Sequence, residues 1–245
     1  MALKQVLVLE EKGAWVAFLK ECLTDLPAEV QDESRVAGAH GLFDRLRPAL
    51  VFCEAAFLTL PFLQKLKVRK ETDPLFRLYL LGDPGISRKD LCFDGVFPVL
   101  PSSAEFLRRF AETLPLSEAV KLLVVEDEAE ISGMVQDYFE ERTRPVFRVR
   151  RAGNGREGLA AIDAEKPDLI ILDIKMPEMD GREFYGALRR RGIEIPAIVF
   201  FDSISGDELA DIRRFGSPPV VEKGTPASSL PSLMALVKTV LFFSA

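Results

Sequence analysis

The chain has 245 residues, of which 48% are hydrophobic and 29% charged, so it has room for one large domain or two small ones, each with a sizeable core. Lys+Arg 32 against Asp+Glu 38 gives a formal charge of −6, which argues against a nucleic-acid binder or a membrane-surface protein acting through charge neutralisation. One histidine, His40, and three cysteines, Cys22, Cys53 and Cys92, argue against a zinc centre, a Ser-His-Asp triad or a disulfide framework, and point to a reducing, cytoplasmic setting.

In chain order, the better strand candidates of the first half are Val6–Leu9, Ala49–Cys53, Leu78–Leu81 and Val96–Phe97. Trp15, Phe18 and Leu19 share helical spacing and should face a core. His40 lies between glycines and is expected in a loop or at a helix start. A seam is expected around Leu114–Ala119, where Pro115 and Ser117 interrupt a helical pattern. Beyond it strands alternate with helices. The strands are Leu122–Val125, Val146–Ala152, Leu169–Leu172, Ala197–Phe201 and Val220–Val221. The helices are Ala129–Arg142, Asn154–Glu165, Gly181–Arg191, Asp207–Phe215 and Ala227–Phe243. No apolar run reaches the roughly 18–20 residues of a membrane span, and the first residues lack a signal-peptide layout.

The two halves echo each other. QVLVLEE (5–11) answers KLLVVEDE (121–128), and RPALVFCEAAF (47–57) answers KPDLIILDIKM (166–176). Pro48 and Pro167 are 119 positions apart, as are Glu54 and Asp173, which a tandem duplication explains. Apolar runs without alternation are the mark of parallel strands covered on both faces. The expected fold is therefore α/β, two doubly wound five-stranded parallel sheets with flanking helices, in domains 1–115 and 119–245.

In such sheets sites form at the carboxyl ends of the strands. Glu126 and Asp127 end the first strand of the second half, Asp173 ends the third, and Lys223 follows the fifth. Three carboxylates crowded together need a cation. Oxygen ligands without His or Cys suit Mg²⁺, and a metal ion with a lysine beside it would neutralise a phosphoryl group. Asp173 is then the candidate nucleophile.

Residues 119–245 resemble the receiver domain of two-component response regulators, a flavodoxin-like fold. The match rests on VVEDE (124–128), NGREGL (154–159), PDLIILDIKMPEMDG (167–181), IPAIVF (195–200) and EKG (222–224). The resemblance implies that Asp173 accepts a phosphoryl group from a histidine kinase or phosphotransfer protein. It implies Mg²⁺ held by Asp127 and Asp173, with Glu126 acting through water and Lys175 through its backbone carbonyl, and Lys223 on the phosphoryl oxygens. Two positions depart from the pattern. Phe201 stands where the family carries Ser or Thr, with Ser203 as a substitute if the loop is remodelled, and Val220 stands where it carries an aromatic residue.

The first half resembles a degenerate pseudo-receiver. Glu10 and Glu11 replace the acidic pair, Glu54 replaces the acceptor aspartate, and Leu100 occupies the lysine position. Glu54 is either a mimic of a phosphorylated aspartate or a drifted residue. The basic runs Arg189–Arg191 and Arg213–Arg214 are expected to be solvated. Phe242 and Phe243 could serve a partner or close a core. The sequence thus points to a cytoplasmic phosphorelay response regulator without DNA-binding or enzymatic output domain, signalling to an unknown downstream protein, with homodimerisation left open. The alternative is a phosphorylation-independent scaffold of two atypical receivers.

Overall fold

The structure, a computed structural model, describes residues 3–82, 93–203 and 206–244. The chain divides into two compact units, Met1–Pro115 and Leu116–Ala245.

The first unit runs β1 (Lys4–Leu9), α1 (Ala14–Cys22), β2 (Ala28–Glu33), α2 (Val36–Leu46), β3 (Leu50–Glu54), a 3-10 turn (Ala55–Phe57), α3 (Leu60–Thr72), β4 (Arg77–Leu81), β5 (Gly95–Phe97) and α4 (Ser103–Ala111). The second runs β6 (Ala119–Val125), α5 (Ala129–Glu140), β7 (Val146–Ala152), α6 (Gly155–Ala164), β8 (Leu169–Leu172), α7 (Gly181–Arg190), β9 (Ala197–Phe201), α8 (Gly206–Arg213), β10 (Val220–Glu222) and α9 (Pro226–Ser244). The sheet orders are β2-β1-β3-β4-β5 and β7-β6-β8-β9-β10, and every pairing is parallel. Both sheets thus reverse strand order beside their first strand, the doubly wound arrangement of flavodoxin-like proteins.

The central strands explain their own composition. Val6–Leu9 and Leu169–Leu172 are almost wholly excluded from water, because helices cover both faces of a parallel sheet. In the first unit Phe52 stacks on its cross-strand partner Tyr79 at 4.6 Å, and Phe106 and Phe110 of α4 pack against Phe52. In the second, Leu123, Val125, Leu159, Phe184, Leu188 and Val199 share one core.

Several expectations need correction. β2, read as AEVQDE, carries one aliphatic residue longer than alanine; it is an edge strand paired only with β1, and an edge strand does not need the apolar run by which the others were recognised. His40 sits inside α2 rather than in a loop, packed on the Phe62 ring at 4.9 Å. Arg189 is half-buried, spanning Tyr185 Oη and the carbonyls of Ile193 and Ile195, whereas Arg191, Arg213 and Arg214 are exposed. Phe242 and Phe243 are buried on α9, a helix that contacts α5, β9 and β10. α9 is, among the described residues, the one helix long and apolar enough to cross a membrane, but more than half of it is buried, as in a core helix. Trp15 and Leu19 are buried as their spacing requires. Cys53 is buried, Cys22 half-buried, and Cys92 lies outside the described residues.

Candidate functional site

β6, β8 and β10 bring the acidic residues and the lysine to one edge of the second sheet. The Asp173 amide donates to Val125 O at 2.9 Å and the Glu126 amide to Ala152 O at 2.9 Å, so both carboxylates leave the sheet where the ladder ends. Lys223 is fixed in the same way, its amide donating to Phe201 O. One carboxylate oxygen from each of Glu126, Asp127 and Asp173 lies within 4.8 Å of the others. Glu126 and Asp173 are buried, and Asp127 is exposed at the rim.

The Lys223 ammonium closes the pocket. Its Nζ lies 2.7 Å from Asp173 Oδ1 and 2.8 Å from Glu126 Oε2. Asp202 Oδ2 stands 3.9 Å away on the solvent side. Burial, opposed by Lys223 and aided by the Asp173 charge, pushes Glu126 up to about 7. Burial likewise raises Asp173, although Lys223 and the amides of Lys175 and Ile174 pull the other way. Burial disfavours the Lys223 charge, but the two carboxylates outweigh it and hold the ammonium above its usual range. The pocket thus contains two desolvated carboxylates sharing the Lys223 cation, with a third carboxylate at its rim. An all-oxygen donor set of this spacing fits a hard divalent ion.

The loop behind the acceptor explains the rest of the motif. Glu178 adopts a left-handed φ of 64°. Asp180 and Glu183 form a reciprocal cap on α7. Gly181 is required by contact: a Cβ there would meet the Asp173 carbonyl oxygen at 2.2 Å. In NGREGL, Asn154 caps α6 by accepting from the Glu157 amide at 3.0 Å, and a Cβ on Gly155 would strike Met179. These residues hold the acceptor loop and touch none of the acidic oxygens.

Phe201 ends β9 with no hydroxyl and is packed against the core. Ser203 is exposed, and its Oγ accepts from Lys175 Nζ at 3.1 Å. Val220, at the aromatic position, is exposed. Asp202 was not singled out from the sequence. The signal was there, an acidic residue directly after an apolar strand, the pattern that marked Glu126 and Asp173.

In the first unit the equivalent residues point elsewhere. Glu10 is buried and accepts from the Trp15 amide at 3.0 Å and from the Val16 amide, so it caps the first turn of α1. Glu54 Oε2 accepts from the Glu11 amide at 2.9 Å. Strand register, followed from β3 through β4 to β5, places Val99 rather than Leu100 at the lysine position; the β4–β5 connection differs in length from its counterpart, which shifts the sequence period. Both residues are exposed and apolar, so the ammonium has no counterpart there.

A doubly wound sheet whose carboxyl edge carries an acidic pocket facing a lysine defines a flavodoxin-like α/β module. Residues 122–232 match the response regulator receiver domain, and the second unit is a receiver domain of a response regulator of two-component systems. The alkaline phosphatase synthesis transcriptional regulatory protein PhoP of Bacillus subtilis (strain 168) is 37% identical over 95 residues, 36% of this chain and 38% of the relative. The probable C4-dicarboxylate response regulator DctR of the same organism is 35% identical over 79 residues, 32% of this chain and 34% of the relative. A protein-glutamate methylesterase/protein-glutamine glutaminase of Nocardioides sp. is 38% identical over 98 residues, 40% of this chain and 26% of the relative. The chain therefore spans well under half the length of these curated relatives. Similar solved structures include the Francisella response regulator 1452 receiver domain, 26% identical with TM-score 0.43, covering 50% of this chain and 96% of that one. Vibrio cholerae chemotaxis protein CheY4 is 26% identical with TM-score 0.44, covering 50% and 98%.

Proposed function

We propose that the protein is a phosphorelay response regulator that accepts a phosphoryl group on Asp173 and signals from the cytoplasm through protein contacts. The observation that carries this reading is the Glu126–Asp127–Asp173 cluster with Lys223 Nζ hydrogen-bonded inside it. Asp127 and Asp173 would hold Mg²⁺ directly, Glu126 through water, and Lys175 through its backbone carbonyl. The ion, when bound, supplies positive charge that offsets the phosphoryl oxygens.

Asp173 is the nucleophile. One of its oxygens bonds to the phosphorus of a phosphohistidine on a histidine kinase or phosphotransfer protein. The P–N bond breaks, its electron pair returns to the imidazole nitrogen, and Asp173 becomes an acyl phosphate. Lys223 then exchanges its bond to Asp173 for one to a phosphoryl oxygen, and burial keeps water from competing with it. The experiment is labelling of the full chain with acetyl phosphate and Mg²⁺. One phosphoryl group on the wild type and none on Asp173→Asn supports the reading; no labelling of the wild type overturns it.

The first unit is a pseudo-receiver in this proposal, an interaction module independent of phosphorylation. Glu10 committed to the α1 amides, Glu54 to the Glu11 amide, and Val99 at the lysine position support that role. If partner binding by the whole chain is unchanged by beryllofluoride and by Asp173→Asn, the scaffold reading extends to both units.

A further inference from the structure

We infer that the second unit carries a binding site for a small, multiply charged anion, an organic phosphate or a di- or tricarboxylate, at the amino-terminal edge of its sheet, opposite the acceptor aspartate. A cleft of about 230 Å³ opens there between β6, β7 and the ends of α5 and α6. Lys121, Arg148, Arg150 and Lys166 line it with Glu140 and Glu165, over a floor that includes buried Leu122 and Leu123.

The charge pattern breaks a local rule. Lys121 is the register partner of Arg148, and Leu123 that of Arg150, so three cations project from one face of two adjacent strands. Like charges directly opposite each other destabilise a sheet. Little on the protein compensates them. Glu165 is bonded to Lys121 Nζ at 2.7 Å, and Lys121, Arg150 and Arg148 together hold its carboxyl below the usual range. One carboxylate thus answers three cations. Glu140 is turned to the backbone, accepting from the Val149 amide at 3.0 Å. Arg150 spends one guanidinium nitrogen on Ala161 O, and neither Arg148 nor Lys166 is in a direct ion pair among the described residues.

In a chain of net charge −6, four exposed cations lining one cleft, with one direct carboxylate partner among them, suit an anionic ligand. Departures from local consistency of this kind mark functional positions. Arginine forks bind phosphate or carboxylate oxygens in pairs, and a cleft of about 230 Å³, smaller than a drug-sized site, restricts the ligand to a small anion.

The test is calorimetric titration of the metal-free full chain with inorganic pyrophosphate and, separately, citrate, at constant ionic strength, with backbone amide spectra to place the contact. The expected result is one-to-one saturable binding of at least one probe, with shifts at Arg148–Arg150. The stronger probe tells phosphate from carboxylate. Arg148→Gln combined with Lys166→Gln should weaken binding at least tenfold, and Glu165→Gln should tighten it by freeing the cations. If the double variant does not fold, the Glu165→Gln result decides. Absence of saturable binding, shifts centred on Glu126 and Lys223 instead, or a Glu165→Gln variant that binds no tighter overturns the inference.

Discussion

Lys223 Nζ lies 2.7 Å from Asp173 Oδ1, the carboxylate proposed to accept the phosphoryl group. Its second bond, to Glu126 Oε2 at 2.8 Å, keeps the ammonium in the pocket whether or not Asp173 is modified. The lysine is the counter-charge of both buried carboxylates, and in the proposed function also the partner of the incoming anion. The first of these is a stability role that can be measured without any phosphodonor.

Lys223→Met leaves Glu126 and Asp173 buried without their shared cation. Breaking a buried pair from one side costs about 3 kcal/mol. We expect a loss of that order at pH 8 in urea denaturation, and a smaller one at pH 5, where Glu126 is already protonated and the bond to Asp173 is the one lost.

The same carboxylate sets a pH dependence. Glu126 ionises in the unfolded chain near 4.5 and in the fold only at about 7. Between those values the unfolded state has given up a proton the folded state keeps, so the metal-free protein loses stability as pH rises from about 5 to 7. Asp173 is shifted in the same direction, so its contribution has the same sign and sets in above its ordinary carboxylate value. Lys223, raised above its usual value, contributes a term that is constant below pH 10 or so. Mg²⁺ needs the deprotonated pocket, so its affinity should fall roughly tenfold from pH 8 to pH 6, measured by titration calorimetry at both values.

Gly181→Ala places a methyl group 2.2 Å from the Asp173 carbonyl oxygen. The acceptor loop must move, at a cost of about 2 kcal/mol, read as a drop in melting temperature. Labelling by acetyl phosphate should fall with it, because the displaced backbone carries Asp173, the proposed nucleophile.

Glu10→Ala removes the carboxylate that receives two amides at the start of α1, a helix whose preceding residue, Gly13, offers no side-chain cap. The expected cost is about 1–2 kcal/mol. Mg²⁺ binding should stay at one site per chain, as the proposed division of labour between the units requires. A second site lost with Glu10→Ala would contradict it.

Phe201 and Val220 lack the hydroxyl and the ring by which the resemblance expects phosphorylation to be read. Beryllofluoride should therefore move the amides around β9 and Val220 little in the wild type. Phe201→Thr with Val220→Tyr should restore a coupled shift, observed in amide spectra, at a small cost from the packing that Phe201 provides.

How much of this was legible in the residues depended on where each stands. The buried central strands announce themselves, since Leu169–Leu172 and Val6–Leu9 must be apolar on both faces. β2 does not, because an edge strand with one partner tolerates glutamate, glutamine and aspartate. The acceptor loop was legible as a motif because contact dictates its residues: only glycine fits against Asp173 at position 181. Asp202 carries the same local strand-end signal as Glu126 and Asp173, whereas the cationic cleft draws its meaning from neighbours distant in the chain.

The sequence by itself determined the doubly wound fold, the repeat, and the acidic residues with their lysine, since each rests on burial or spacing that is local to one strand and its end. Tertiary structure alone decided which of those charges meet. It set Lys223 between Glu126 and Asp173, turned Glu10 and Glu54 onto backbone amides, and opposed Lys121 to Arg148. The physical reason is that a side chain's partner is fixed by strand register and loop length summed over the whole sheet, and the shorter β4–β5 connection puts Val99, not Leu100, at the lysine position.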